Sequence, residues 1–319
     1  MNRILITGAF GQLGSEITDE LRTKYGESNV VASDISKDHP KAKEGIFEYL
    51  DVTDAERLEE IVEKHGITQI YHLAALLSSV GESKPQMAWD INMNGLVNVL
   101  EIARKRNLDK VYWPSSIAVF GPDSPKQDTP QNTIMNPTTM YGISKLAGEK
   151  LCEYYHAKFG VDVRSIRYPG LIGWKALPGG GTTDYAVDIY HKAVNNEPFE
   201  CFLAKGTALP MMYMDDAVRG TIELMEAPAE KIKVRTSYNF SAISFTPEEI
   251  LASIQKIVPE LEMTHNPDHR QGIAESWPQS IADDHARKDW GWTPEFDLDR
   301  MSEDIIKNLR EIYYAQKEA

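Results

Sequence analysis

The chain has 319 residues, of which 42% are hydrophobic and 26% charged, and it carries a formal charge of −14. Its length suits one large α/β domain or a domain bearing a smaller lobe, and no apolar run reaches the roughly 18 residues of a membrane helix. A chain this acidic, without a basic run, is a poor partner for a phosphate backbone, which excludes nucleic acid.

Residues 4–7 form a short apolar run that reads as a strand, with no signal peptide or Arg-rich transit segment ahead of it. Only two cysteines, Cys152 and Cys201, are present, too few for a disulfide framework, so the expected location is the cytoplasm. A helix is predicted over 13–25, where Leu13, Ile17 and Leu21 share a stripe. A strand at 30–33 precedes a helix at 55–65 with Leu58, Ile61 and Val62 on one side. Both helices stop at a glycine, Gly26 and Gly66, as a left-handed C-terminal position requires. Strands at 70–73, 110–114 and 163–168 complete an alternation that argues for a parallel sheet covered on both faces. After Gly173 the composition shifts, and 174–183 is a loop holding Gly179, Gly180 and Gly181. A helix follows at 184–195. Another starts at Thr246, with Pro247 at its first position and Glu249 closing a capping box; the last covers 299–315. The expected division is a nucleotide-binding domain from 1–173 and about 214–241, and a lobe from about 174–213 and 242–319.

Between the first strand and the first helix lies Gly8-Ala-Phe10-Gly11-Gln12-Leu13-Gly14. Glycine at that spacing permits a tight turn and brings a pyrophosphate close to a helix N-terminus, where unpaired N–H groups and the helix dipole favour negative charge. A glycine turn that merely packs helix on strand is the bland alternative. Asp34, twenty residues after Gly14 at the end of the second strand, decides against it. A carboxylate there accepts from ribose hydroxyls and repels a 2′-phosphate, which favours NAD over NADP. Asp51 and Val52, after a further apolar run, could reach the adenine edge, although Asp51 also reads as a helix N-terminal acid.

Tyr141-Gly-Ile-Ser-Lys145 sits in a helical pattern, and residues four apart face one way. An ammonium beside the phenol favours the phenolate and is expected to lower the Tyr141 pKa from about 10 toward neutrality. A tyrosine so tuned accepts an alcohol proton while hydride leaves the carbon. Ser115 and Ser116 end a strand twenty-five residues upstream, where a Ser116 hydroxyl can bind the reacting oxygen. A Tyr-x3-Lys pair by itself is ordinary helix surface; in company with the glycine turn, Asp34 and Ser116 it reads as a hydride-transfer site.

These motifs, with Leu73-Ala-Ala-Leu76 and Asn92-Met-Asn-Gly95, resemble the extended short-chain dehydrogenase/reductase superfamily over most of the chain. The resemblance implies a doubly wound parallel Rossmann sheet with a smaller C-terminal substrate-binding lobe. It places Leu73, Ala74, Ala75 and Leu76 along the nicotinamide half of the cofactor site, counts Tyr168 and Leu171 among the cofactor-binding residues, and suggests supporting roles for Asn92 and Asn94. Within the superfamily, Trp113–Gly121, Arg167–Gly173, Gly179–Ala186 and Trp277–Asp283 are similar to the short-chain type of L-threonine 3-dehydrogenases. That family implies oxidation of L-threonine at C3 to 2-amino-3-oxobutyrate and a homodimer. Ser78, Ser79, Ser115 and Ser116 would then supply donors. Gly180, Thr182, Thr183 and Asp184 would form a loop of acceptors, and Trp277 an apolar wall. A nucleotide-sugar 4-epimerase is the alternative, disfavoured because Pro169-Gly170 stands where that family carries Phe-Asn and Met212 lies where it carries an Arg. Ile117–Phe120 lacks the acids of the related dehydratases. No metal is expected: His265 and His269 have helical spacing, but Pro267 breaks the face between them. A non-catalytic NAD sensor would lack Tyr141 or Lys145.

Overall fold

Strands that are apolar on both sides need cover on both sides, and this dictates the architecture. The computed structural model describes residues 2–179 and 181–318, the side chains of 78–80 and 315–318 excepted. The chain opens with β1 (Ile4–Thr7), α1 (Gln12–Tyr25), β2 (Val30–Asp34), β3 (Ile46–Tyr49), α2 (Ala55–His65) and β4 (Gln69–His72). It continues through α3 (Ser78–Ser83), α4 (Pro85–Trp89), α5 (Gly95–Arg106), β5 (Lys110–Ser116), α6 (Met140–Phe159) and β6 (Val163–Tyr168). Next come β7 (Gly170–Ile172), α7 (Tyr185–Asn195), β8 (Phe199–Cys201), β9 (Leu209–Tyr213), α8 (Met214–Glu226) and β10 (Tyr238–Asn239). The last part holds β11 (Ile243–Phe245), α9 (Pro247–Gln255), β12 (Met263–His265), α10 (Arg270–Ser276), α11 (Asp284–Trp290) and α12 (Leu298–Glu318).

The seven-stranded sheet runs β3-β2-β1-β4-β5-β6-β10, parallel throughout. This is the doubly wound α/β arrangement, and its strand order reverses between β1 and β4, which opens a crevice at the carboxyl ends there. Alternation along each strand feeds two cores. Leu5, Val31, Ile70 and Val111 pack with Leu58, Ile61, Leu96 and Val99 on one face. Ile4, Ile6, Val30 and Ala32 pack with Ile17, Leu21 and Ile222 on the other. Each fully buried Ile or Leu contributes about 1.5–3 kcal/mol. Two small sheets, β11-β9-β7 and β12-β8, lie outside the large one. Their core combines Tyr185, Ile189, Met211, Phe245 and Ile305 with Ile117–Phe120, the residues that follow β5.

Several local expectations meet their geometry. Glu249 N–H donates to Thr246 and Thr246 N–H to Glu249, so α9 begins with a capping box. Gly66 is left-handed, at φ 59° and ψ 43°. Gly26 differs: its φ of 88° is positive, but its ψ of 143° sends the chain outward instead of wrapping it over the helix end. The strand at 110–114 extends through Ser116, because Ser115 and Ser116 pair in register with Arg167 and Tyr168. Strands β7 to β12 escape sequence reading because most span only two or three residues, too few to show a period.

Candidate active site

The helix α6 presents one face to β5 by its 3.6-residue period. Thr139 caps it, accepting from Gly142 N–H at 3.1 Å. Tyr141, half-buried near its start, has its phenol beside the Ser116 hydroxyl. Lys145, only 3% exposed, donates from Nζ to the Pro114 carbonyl at 2.6 Å. Its Nζ lies 5.5 Å from the Tyr141 ring centre and 4.6 Å from that of Trp113. Ser116 Oγ also accepts from Ala118 N–H at 3.2 Å, a turn that fixes the hydroxyl at the strand end. Tyr141, Ser116 and Lys145 therefore converge at the carboxyl edge of the sheet.

Their electrostatics differ from the sequence expectation. Burial pushes the Tyr141 phenol up to about 12, and the Ser116 hydrogen bond only partly opposes it. Burial likewise draws the Lys145 ammonium down to about 7, with Cys152 and Glu149 pulling it back up. Burial therefore penalises the charged form of each group, the phenolate of Tyr141 and the ammonium of Lys145.

Ser115 points the other way, as consecutive strand residues must. It is buried, and its Oγ donates to Glu149 Oε1 at 2.7 Å. The strand's pleat thus removes Ser115 from the substrate side, which corrects its expected contact.

The crevice beside β1 has the form of a dinucleotide cradle. Gly8 has φ +69°, and a Cβ there would stand 2.7 Å from Ala74 N. A Cβ on Gly14 would overlap the Gly8 carbonyl, so the turn closes only with glycine at both places. Gly11 precedes α1, whose first N–H groups at Gln12, Leu13 and Gly14 have no side-chain cap and whose first turn has no acid. That combination fits a pyrophosphate. Asp34 is fixed beside it, its Oδ2 accepting from Phe10 N–H at 3.1 Å and its Oδ1 from Ser36 N–H at 3.0 Å. Phe10 stacks on His39 at 4.4 Å and, with Leu13, Leu73 and Leu171, packs on the α1-side core. Asp51 holds Thr53 through its N–H and hydroxyl, while Asp54 caps α2, so Asp51 is not that helix's cap. Val52 is buried against Gly95, and Ala74 and Ala75 remain half-buried along the crevice. Tyr168 is buried with its hydroxyl committed to Tyr112 at 2.6 Å and to Thr221.

Thr183, an expected substrate contact, rests on Gly170, where a Cβ would approach its Cγ2 to 2.6 Å. Gly170 lies two residues past Tyr168, the register partner of Ser116. Thr182 is buried. Asp184 Oδ2 accepts from Gly181 N–H at 2.8 Å, so the carboxylate closes its own turn. Gly180 lies outside the described residues. Ser78 and Ser79 open α3, and their side chains also lie outside the described residues. Trp277 is 8% exposed and belongs to the lobe core that Tyr141 packs against. Among the described residues no three His, Cys, Asp or Glu side chains gather as a metal site.

One expected support and two features beyond the motifs border the site. Asn92, in the wide π-helical turn Asp90–Asn94, accepts from Leu76 N–H at 2.8 Å and donates to Ser144 Oγ at 3.2 Å, tying the crevice wall to α6. His72 is buried at the end of β4, with Nδ1 on Thr7 Oγ1 at 2.8 Å. The Glu149–Arg167 pair is fully buried. Only Asn92 has a sequence signal, its place in Asn92-Met-Asn-Gly95.

The NAD dependent epimerase/dehydratase family matches residues 4–240. An uncharacterized epimerase/dehydratase of Staphylococcus haemolyticus is 50% identical over 315 residues, 98% of each chain. The holo form of a GalE-like L-threonine dehydrogenase from Cupriavidus necator is 55% identical, with a TM-score of 0.94 over 96% of this chain and 99% of that one. A monomeric L-threonine 3-dehydrogenase from a metagenome is 50% identical, with a TM-score of 0.93 over 97% and 99%.

Proposed function

The chain belongs to the NAD-dependent epimerase/dehydratase family and is an NAD-dependent Rossmann oxidoreductase, and from that premise we propose that it oxidises L-threonine at C3 to 2-amino-3-oxobutyrate. The observation that carries the reading is the convergence of Tyr141, Ser116 and Lys145 beside the glycine cradle, in a chain so alike over nearly its whole length to solved threonine dehydrogenases.

Gly8, Gly11, Gly14 and the first N–H groups of α1 would hold the pyrophosphate, and Asp34 the adenosine ribose. When bound, NAD⁺ accepts the hydride from C3 and brings a positive charge to the site. Tyr141 takes the C3 hydroxyl proton, and the Ser116 hydroxyl donates to the same oxygen as its charge develops. Lys145 stabilises the phenolate that Tyr141 needs for this. Thr183 and Thr182 face the amino acid from the lobe, and Trp277 stiffens the apolar wall behind Tyr141. A sugar diphosphate would need cationic contacts and length, whereas short polar groups such as Thr182 and Thr183 suit a small amino acid. The enzyme works without metal in this account. We also infer a homodimer through the exposed apolar side chains Met87 and Trp89 of α4 and Ile143, Tyr154 and Phe159 of α6.

L-Threonine deuterated at C3 tests the chemistry. Deuterium should appear in the reduced nicotinamide with a slowed turnover. Unlabelled NADH from labelled substrate would refute hydride transfer from C3.

A further inference from the structure

The face of α6 that carries Tyr141 and Lys145 has a third member. Residues 141, 145 and 149 follow at intervals of four, so Glu149 stands one turn behind the lysine. All three reach the same stretch of β5: Tyr141 meets Ser116, Lys145 meets the Pro114 carbonyl, and Glu149 meets Ser115. The first two rungs belong to the site. The third is buried at 0% exposure and held from below by Arg167, whose Nε and Nη2 each donate at 2.8 Å to separate Glu149 oxygens.

Burying such a pair is expensive unless its remaining donors and acceptors are satisfied. Here Arg167 Nη1 donates to the Gln131 carbonyl and to Asn239 Oδ1, both at 2.9 Å. Asn239 Nδ2 in turn donates to the carbonyls of Thr129 at 3.0 Å and Ala282 at 2.9 Å. Ala282 N–H returns to the Thr129 carbonyl at 3.0 Å, and Lys126 Nζ binds the carbonyls of Glu275, Ser276 and Trp277. A buried network therefore runs from the strand bearing Ser116 to the backbone of Thr129 and Ala282, while nearer the surface Lys126 ties the same 126–129 stretch to the carbonyls of residues 275–277.

We propose that Glu149 and Arg167 are positioning residues, which through Ser115 lock the Ser116 strand against the Tyr141–Lys145 helix and, through Asn239, register both with the Thr129 and Ala282 backbone. A satisfied low-dielectric network has one geometry, so it can hold two reacting hydroxyls in line where apolar packing would let α6 slide along β5. The inference rests on the catalytic reading of Tyr141, Ser116 and Lys145. Glu149→Gln strands a buried guanidinium and can prevent folding. Ser115→Ala is the informative variant, because it cuts the third rung and leaves the ion pair whole.

Two readouts on the full chain test it: threonine-dependent NADH formation, and hydrogen exchange of the enzyme before cofactor is added. Ser115→Ala should lose about ten-fold or more in kcat while KM for threonine and Kd for NAD⁺ stay within about two-fold, since alignment fails and binding does not. Exchange should rise in residues 114–118 and 140–148 and nowhere else. Ser115→Thr, which restores the hydroxyl, should recover most of both. Wild-type kcat with unchanged exchange in Ser115→Ala overturns the inference, as does equal impairment in the Thr and Ala variants. Tyr141→Phe, run alongside, separates the failures: full turnover there removes the catalytic reading and the inference with it. A dead Tyr141→Phe beside a normal Ser115→Ala removes the inference alone.

Discussion

Tyr141 shows how far a residue's chemistry depends on its surroundings. Its phenol is raised to about 12 by burial, so the proposed role as base calls for positive charge close by, and Lys145 Nζ, 5.5 Å from the ring centre, is the candidate to give it. Tyr141→Phe keeps the ring packed and removes the proton acceptor; kcat should fall by about 10² to 10⁴-fold with NAD⁺ affinity retained. The Tyr-x3-Lys spacing was readable in the sequence. The opposing burial of both groups was not, because desolvation is set by Trp113, Pro114 and the lobe core, which arrive from elsewhere in the chain. His72 makes the same point for stability. Burial draws its imidazole from the ordinary 6.5 down to about 3. The unfolded chain therefore takes up a proton first, and the stability held above about pH 6.5 is lost as pH falls toward 3. Urea midpoints of His72→Gln should change less across that window than those of the parent; parallel curves would refute the role.

Elements place these residues. The end of β2 delivers Asp34 to the glycine turn, where Phe10 and Ser36 N–H groups fix its carboxylate. Asp34→Ala should raise KM for NAD⁺ and narrow the gap to NADP⁺, as measured by initial rates with each cofactor. A parent enzyme that prefers NADP⁺ would contradict the assignment. The turn and Asp34 were legible because glycine and carboxylate at fixed offsets have few other uses there. The lobe was less so. Its glycines announced a loop, but Gly170 as the seat of Thr183 depends on β7 meeting β9 and on a turn returning from residue 181. Likewise, the two adjacent serines of β5 looked alike until the strand extended through them and sent Ser115 inward to Glu149. Thr183→Val keeps the volume seated on Gly170 and deletes the hydroxyl. It should raise KM for threonine while sparing NAD⁺ affinity, and an unchanged KM would remove Thr183 from the substrate site.

Across the molecule, the parallel sheet and its crevice place the glycine cradle, Tyr141 and the lobe around one strand end. The sheet's core was legible from alternating apolar runs, since buried parallel strands admit little else. The lobe's three-residue strands carried no such period. Two expectations follow for the intact enzyme. Dialysis against EDTA should leave activity unchanged, because Tyr141, Ser116 and Lys145 handle proton and charge unaided; loss restored by zinc would overturn this. Sedimentation should show a dimer that Ile143→Glu weakens, whereas a monomeric parent would place this chain with the monomeric relative. The most direct measurement is NADH absorbance with purified enzyme and NAD⁺ across L-threonine, L-serine, UDP-galactose and UDP-glucose. L-Threonine should give sustained NADH formation, and L-serine a weaker signal, since one methyl group is worth about 1–3 kcal/mol. The UDP-sugars should give none, and epimerisation of a UDP-sugar without any threonine-dependent NADH would contradict the account.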